Sequence, residues 1–170
     1  FGEDGAYTPY AREVLGDDLL VPLEDGHDGQ AYWLQARDPL LVDGNRMAAT
    51  FDRPAYRAQR MLYPTLAAPF RLVGEDAVLW GLVVVNLVAV GFGTLWATRL
   101  AQATGAPERA GFAFALNPVI AISLVMDFAD ALALAGLVGV ALAVHRQRWG
   151  WAVAAGVAAG YTLPLVDRAG

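Results

Sequence analysis

Long apolar stretches dominate the second half of the chain. Residues 77–98 run for 22 positions without a charge, and a bilayer core of about 30 Å asks for about 20 residues of helix. Trp80 and Trp96 stand near the two ends of this stretch, as an aromatic belt does. Asn86 is its only strongly polar side chain, and Gly91 and Gly93 allow a neighbouring helix to come close. The stretch predicts a membrane span. Residues 110–144 form a 35-residue run, roughly 52 Å as a single helix and too long for one ordinary crossing. The run contains Pro118, Asp127 and Asp130. A bare Asp at mid-bilayer costs about 2.5–3.5 kcal/mol. The run therefore predicts a hairpin, 110–126 in one direction and 128–144 back, with its break at the membrane surface near Asp127. Residues 149–166 are 18 apolar positions between Arg148 and Asp167 and predict a further span, bent near Pro164.

The first 76 residues have a different pattern. Residues 6–20 are weakly helical and acidic. Gly26 and Gly29 punctuate a turn. Residues 30–37 read as a helix that Asp38-Pro39 ends, because the residue before proline disfavours the α region. Asp52 is a candidate N-cap for a helix over about 53–62, with Pro54 in its first turn. Pro64 and Pro69 are expected to break or kink the chain between that helix and the first span. Within 54–62 the pattern is amphipathic, with Tyr56, Arg60 and Tyr63 on one face at i, i+4 and i+7. An in-plane interfacial helix just ahead of the first span is the natural expectation.

Charge sharpens this division. Residues 1–76 carry 13 acids against 7 arginines, and residues 77–170 only 4 acids against 5 arginines. Such a break marks a boundary between an aqueous part, 1–76, and a bilayer part, 77–170. With 56% hydrophobic residues the chain is not disordered, and with no Cys it holds neither a disulfide framework nor a thiolate metal site. A net charge of −5 without any Lys argues against nucleic acid as a partner. Two arginines lie in 99–109 and two in 145–148, and the positive-inside rule wants both loops in the cytoplasm. Only the hairpin lets them share a side, which leaves 1–76, Asp127 and Asp130 outside. The fold class read here is all-α: a polytopic helical membrane protein of the cell membrane with an acidic extracytoplasmic N-terminal region. Position 1 is Phe and no signal-peptide pattern opens the chain, so the expectation is a fragment of a longer membrane protein.

Candidate chemistry is concentrated in a few places. Asp28, between His27 and Gly29, can serve as a general base for a hydroxyl nucleophile; a solvated Asx-turn is the plainer alternative. Glu24, Asp25 and Asp28 offer oxygen ligands for a divalent cation, although no metal site is assigned. Arg57 and Arg60 match phosphate oxygens, or else snorkel at an interface. Asp127 and Asp130 either bind ligand hydroxyls or cap the hairpin turn. Asn117-Pro118 reads as a kink, with its freed carbonyls satisfied locally.

These pieces, in this order, resemble the GT-C fold glycosyltransferases, most of all the bacterial relatives of the GPI mannosyltransferase PIG-V type. His27-Asp28-Gly29-Gln30-Ala31-Tyr32 is similar to the Asp-Gly-x-x-Tyr element of their first outward loop, with His27 where that pattern has Trp. Residues 56–64, Val85-Asn86-Leu87 and Ala115-Leu116-Asn117-Pro118 followed by Ser123-Leu124 and an acid are similar to later segments. The resemblance runs from about 25 to 160. It implies a multi-span enzyme that uses a lipid-phosphate-linked sugar donor, embedded among membrane lipids, and transfers the sugar outside the cytoplasm. The essential acid is matched by Asp28, and His27, Gln30, Tyr32, Arg57, Arg60, Asp127 and Asp130 are the candidate substrate-binding residues. The rivals are a non-enzymatic membrane scaffold or assembly protein and a transporter fragment.

Overall fold

A computed structural model describes residues 2, 7–16, 28–40, 42 and 60–162. The described residues are helical and include no strand. In chain order the α-helices are α1 (Thr8–Leu15), α2 (Asp28–Arg37), α3 (Leu62–Ala67), α4 (Ala77–Ala103), α5 (Phe112–Ala115), α6 (Pro118–Met126), α7 (Asp130–His145) and α8 (Trp149–Gly160). Short 3₁₀ turns at Ala68–Leu72 and Glu108–Gly111 precede α4 and α5.

α4 is the longest helix, with 27 residues, and is about 40 Å long. Among the described residues it is the one helix long and apolar enough to cross a membrane alone. It extends past the expected end at 98 and stops where Gly105, at φ 79°, takes a left-handed conformation. There Ala106 N donates to Ala101 O at 2.8 Å and Gly105 N to Gln102 O at 3.2 Å, a Schellman closure.

The return segment is not a single helix over 110–126. It is the pair Glu108–Ala115 and Pro118–Met126, bent by 41°. Pro118 has no N–H to donate, and Asn117, at ψ 128°, caps α6 by accepting from Val119 N at 2.9 Å. The expected break near Asp127 is present: α6 ends with Asp127 in the left-handed region at φ 53°, and α7 starts at Asp130. The remaining stretch is also shorter than the expected span: α8 covers 12 residues, and 163–170 lie outside the described residues. Pro64, expected to break a helix, instead sits third in α3, where its missing N–H has no intrahelical partner to lose. The interfacial helix expected over 54–62 falls mostly outside the described residues.

Close approaches give the packing. A Cβ on Gly93 would run into the Phe114 ring, and one on Gly111 would stand 2.6 Å from the Thr98 backbone. α4 and the bent pair are thus antiparallel neighbours packed through glycine. Trp96 lies on Gly139 of α7, while Val85 and Leu132 line one groove farther back, so α4 and α7 run in the same direction. α8 runs against α7, with Gly136 facing Ala159 and Gly156 facing Val140. The outcome is a two-ended bundle. Arg99, Arg109, Arg146 and Arg148 gather at one end. Asp127, Asp130 and the N-terminal helices gather at the other, where Phe70 packs on Gly81 and Leu62 N donates to Tyr161 O.

α2 is the centre of the N-terminal layer, with residues 29–36 all buried. Its last residue, Arg37, stacks its guanidinium over Tyr10 at 5.1 Å and Trp33 at 5.2 Å and pairs with Glu75 at 3.2 Å. These contacts tie α1 and α2 to the turn that leads into α4.

Candidate functional site

The N-terminal layer and the apolar bundle meet in a buried polar chain. Tyr63, on α3, is fully buried. Its hydroxyl donates to Leu82 O at 3.0 Å and accepts from Asn86 Nδ2 at 2.8 Å. Asn86 Nδ2 also donates to Ser123 O at 3.2 Å. That carbonyl in addition accepts the backbone N–H groups of Asp127 and Phe128, which close the end of α6. A single polar side chain in the longest apolar helix therefore links α3, α4 and α6, as expected for a group that cannot reach water.

On the other side, the Tyr32 ring meets the Tyr63 ring edge-on, with centroids 5.1 Å apart and planes at 85°. The Tyr32 hydroxyl accepts from Arg60 Nη1 at 3.1 Å. Arg60 is half-buried, so its charge sits at the rim of the chain that leads inward.

Asp127 adjoins this chain at the α6–α7 turn, where its backbone N–H donates to Ser123 O. It is half-buried, and among the described residues its Oδ1 is buried without a hydrogen-bond partner. Burial pushes its carboxyl up from 3.8 to about 6. Tyr63 is raised too, first by burial, then by the nearby Asp127 charge and by Tyr32, which keeps the phenol neutral and a donor. A carboxyl raised toward 6 at the end of this chain can exchange a proton with, or hydrogen-bond, a hydroxyl brought to it.

The residues singled out in the sequence are distributed unevenly. Asp28 opens α2, one helical turn ahead of Tyr32. Gln30 is buried on the same helix. Tyr32, Arg60 and Asp127 all border the Tyr63 chain. Asp130 is half-buried in the first turn of α7, where a negative charge suits the helix dipole. His27 and Arg57 lie outside the described residues, as do Glu24 and Asp25. Among the described residues no group of three or more His, Asp or Glu side chains gathers. Tyr63 and Ser123 were not among the sequence candidates. Asn86 is conspicuous as the only strongly polar side chain of its stretch, but nothing near it in sequence names its partners. No family model matches the chain, and neither a curated protein nor a solved structure matches it.

Proposed function

We propose that the chain is part of a multi-pass membrane glycosyltransferase that moves a sugar from a lipid-phosphate donor to an acceptor hydroxyl on the extracytoplasmic side. The observation that carries this reading is the Arg60–Tyr32 hydrogen bond. It holds a guanidinium beside the helix that Asp28 opens, at the end of the bundle opposite all four loop arginines. With the arginine end in the cytoplasm, that rim faces outward. The large apolar side chains exposed on every bundle helix, such as Leu87, Phe92, Ile122, Leu137 and Val153, suit lipid as the surrounding solvent, with α4, the bent pair and α7 as crossings.

In the reaction, Asp28 takes the proton of the acceptor hydroxyl. The oxygen attacks the anomeric carbon, and the lipid phosphate leaves with the electrons of the broken bond. Arg60, together with Arg57, neutralises the leaving phosphate. Asp127 hydrogen-bonds a sugar hydroxyl. A groove of about 290 Å³ between α4, α7 and α8, lined by Leu66, Val84, Val88, Phe92 and Leu132, accepts the first part of the lipid chain.

The test is sugar transfer by the full-length protein from a polyprenyl-phosphate sugar. Asp28→Asn is nearly isosteric and is expected to lower transfer by about 10²–10⁴-fold, the usual contribution of a general base, with membrane insertion unchanged. Near wild-type transfer by this variant would remove the base assignment. A non-enzymatic scaffold is favoured by one feature, the complete burial of Tyr63, Asn86 and Ser123, and it predicts no transfer by any form of the protein.

A further inference from the structure

At the arginine end, a second groove opens between α4, α7 and α8. It has a volume of about 460 Å³ and is lined by Trp96, Leu142, Ala143, Arg146, Arg148 and Trp151 among others, within the usual range for small-ligand pockets of about 300–1,000 Å³. Its shape follows from the sequence. Gly139 supplies no side chain, so the Trp96 ring lies against bare α7 backbone; a Cβ there would meet that ring at 2.9 Å. Ala143 and Ala154 leave the walls thin. Gln147, in the left-handed region at φ 55°, turns the chain sharply, and Arg148 N donates back to Ala143 O at 2.8 Å. The turn sets Arg146 and Arg148 on the same rim, above an apolar floor.

Two guanidiniums over an apolar slot flanked by two tryptophans have the chemistry of an interfacial site for a phosphate that carries a lipid chain. Guanidinium pairs with phosphate oxygens in a fork, tryptophan settles at headgroup depth, and basic pockets between membrane helices on the cytoplasmic side hold anionic headgroups. We propose that this groove binds an anionic glycerophospholipid from the surrounding leaflet, its phosphate on Arg146 and Arg148 and one acyl chain along Trp96 and Leu142. The site is distinct from the Arg60 rim at the opposite end. The inference rests on the reading that α4, α7 and α8 lie in a bilayer.

Quenching of tryptophan fluorescence by brominated lipids tests it. The full chain carries five tryptophans. Trp33 is wholly buried, and Trp80 and Trp149 are exposed and replaceable by Phe, which leaves Trp96 and Trp151 to report on the groove. The protein is reconstituted into phosphatidylcholine vesicles containing either brominated phosphatidylglycerol or brominated phosphatidylcholine. At about fivefold per arginine near an anionic surface, the brominated phosphatidylglycerol is expected to be preferred by tenfold or more. Arg146→Gln with Arg148→Gln should bring the preference below twofold, with quenching by brominated phosphatidylcholine retained as proof of insertion. Arg99→Gln with Arg109→Gln, at the same end but off the groove, should leave the preference in place. Equal quenching by the two lipids in the unsubstituted protein would overturn the site and leave the membrane reading standing. Equal loss from both arginine pairs would overturn it in favour of a diffuse surface field. No quenching by either lipid would overturn the site together with the membrane reading.

Discussion

At the scale of single residues, the hydroxyl of Tyr63 is the junction of the candidate site, because it is both donor to Leu82 O and acceptor from Asn86. Tyr63→Phe leaves one Asn86 amide hydrogen short of a partner in a buried place, while Leu82 O keeps its bond within α4, and the expected cost is about 1–3 kcal/mol. Thermal unfolding in detergent measures it, and the double variant with Asn86→Leu should lose less than the sum of the two single variants, because both partners then become apolar. Asp127 supplies a pH signature. Its carboxyl, raised from 3.8 to about 6, holds its proton more tightly in the folded chain than in the unfolded one. The stability this contributes is full below about pH 4 and is lost as pH rises through about 6, on the order of 1–2 kcal/mol after allowance for screening at a half-buried group. Asn is equally at ease in the left-handed region, so Asp127→Asn should keep the turn and flatten the dependence of melting temperature on pH between 4 and 6. An unchanged profile would place the titration elsewhere. The sequence exposed Asn86 and Asp127 as misplaced polar groups in apolar surroundings, a signal of purpose without a partner. The partners of Asn86 stand 23 and 37 residues away, and only tertiary packing brings such distant positions together.

At the scale of elements, hydropathy and length marked where helices had to stop but not how. The break at Asp127 was legible because a 35-residue apolar run is too long for one helix to cross, and the end of α2 was legible because Asp38-Pro39 stops it; its start was not, since Gly29, expected in a turn, lies inside the helix. Asn117-Pro118 marks a kink in the sequence, whereas Asn117 capping α6 at ψ 128° makes the division of the return segment a full interruption. Pro64 misled for the opposite reason: a proline breaks a helix interior but is tolerated in a first turn. Glycine positions separate contact from spacer. Gly111→Ala puts a Cβ within 2.6 Å of the Thr98 backbone, where nothing yields cheaply, and should cost about 1–3 kcal/mol as overpacking. Gly91 has nothing within 4 Å, so Gly91→Ala should cost nothing. Parallel melting curves of the two variants check the pair, and equal effects would contradict the packing of α4 on the bent segment.

At the scale of the whole molecule, charge and topology coincide. Parallel α4 and α7, joined by an antiparallel return, bring the arginines of 99–109 and 145–148 to one end, and the Arg60–Tyr32 rim and Asp127 occupy the other. The number and length of runs made an even return legible in the sequence. The convergence of α2, α3 and the α6–α7 turn was not, since no local period encodes it. This two-ended arrangement underlies both the proposed chemistry and the proposed lipid groove, and it is accessible to one measurement. The chain has no cysteine, so single cysteines can be introduced at the exposed positions Leu72, Thr104 and His145 in the full-length protein and labelled in intact cells with a membrane-impermeant maleimide. The account predicts that Leu72→Cys labels from outside, whereas Thr104→Cys and His145→Cys label only after the membrane is permeabilised. Labelling of Thr104→Cys and His145→Cys from opposite sides, or of Leu72→Cys from the same side as both, would contradict it.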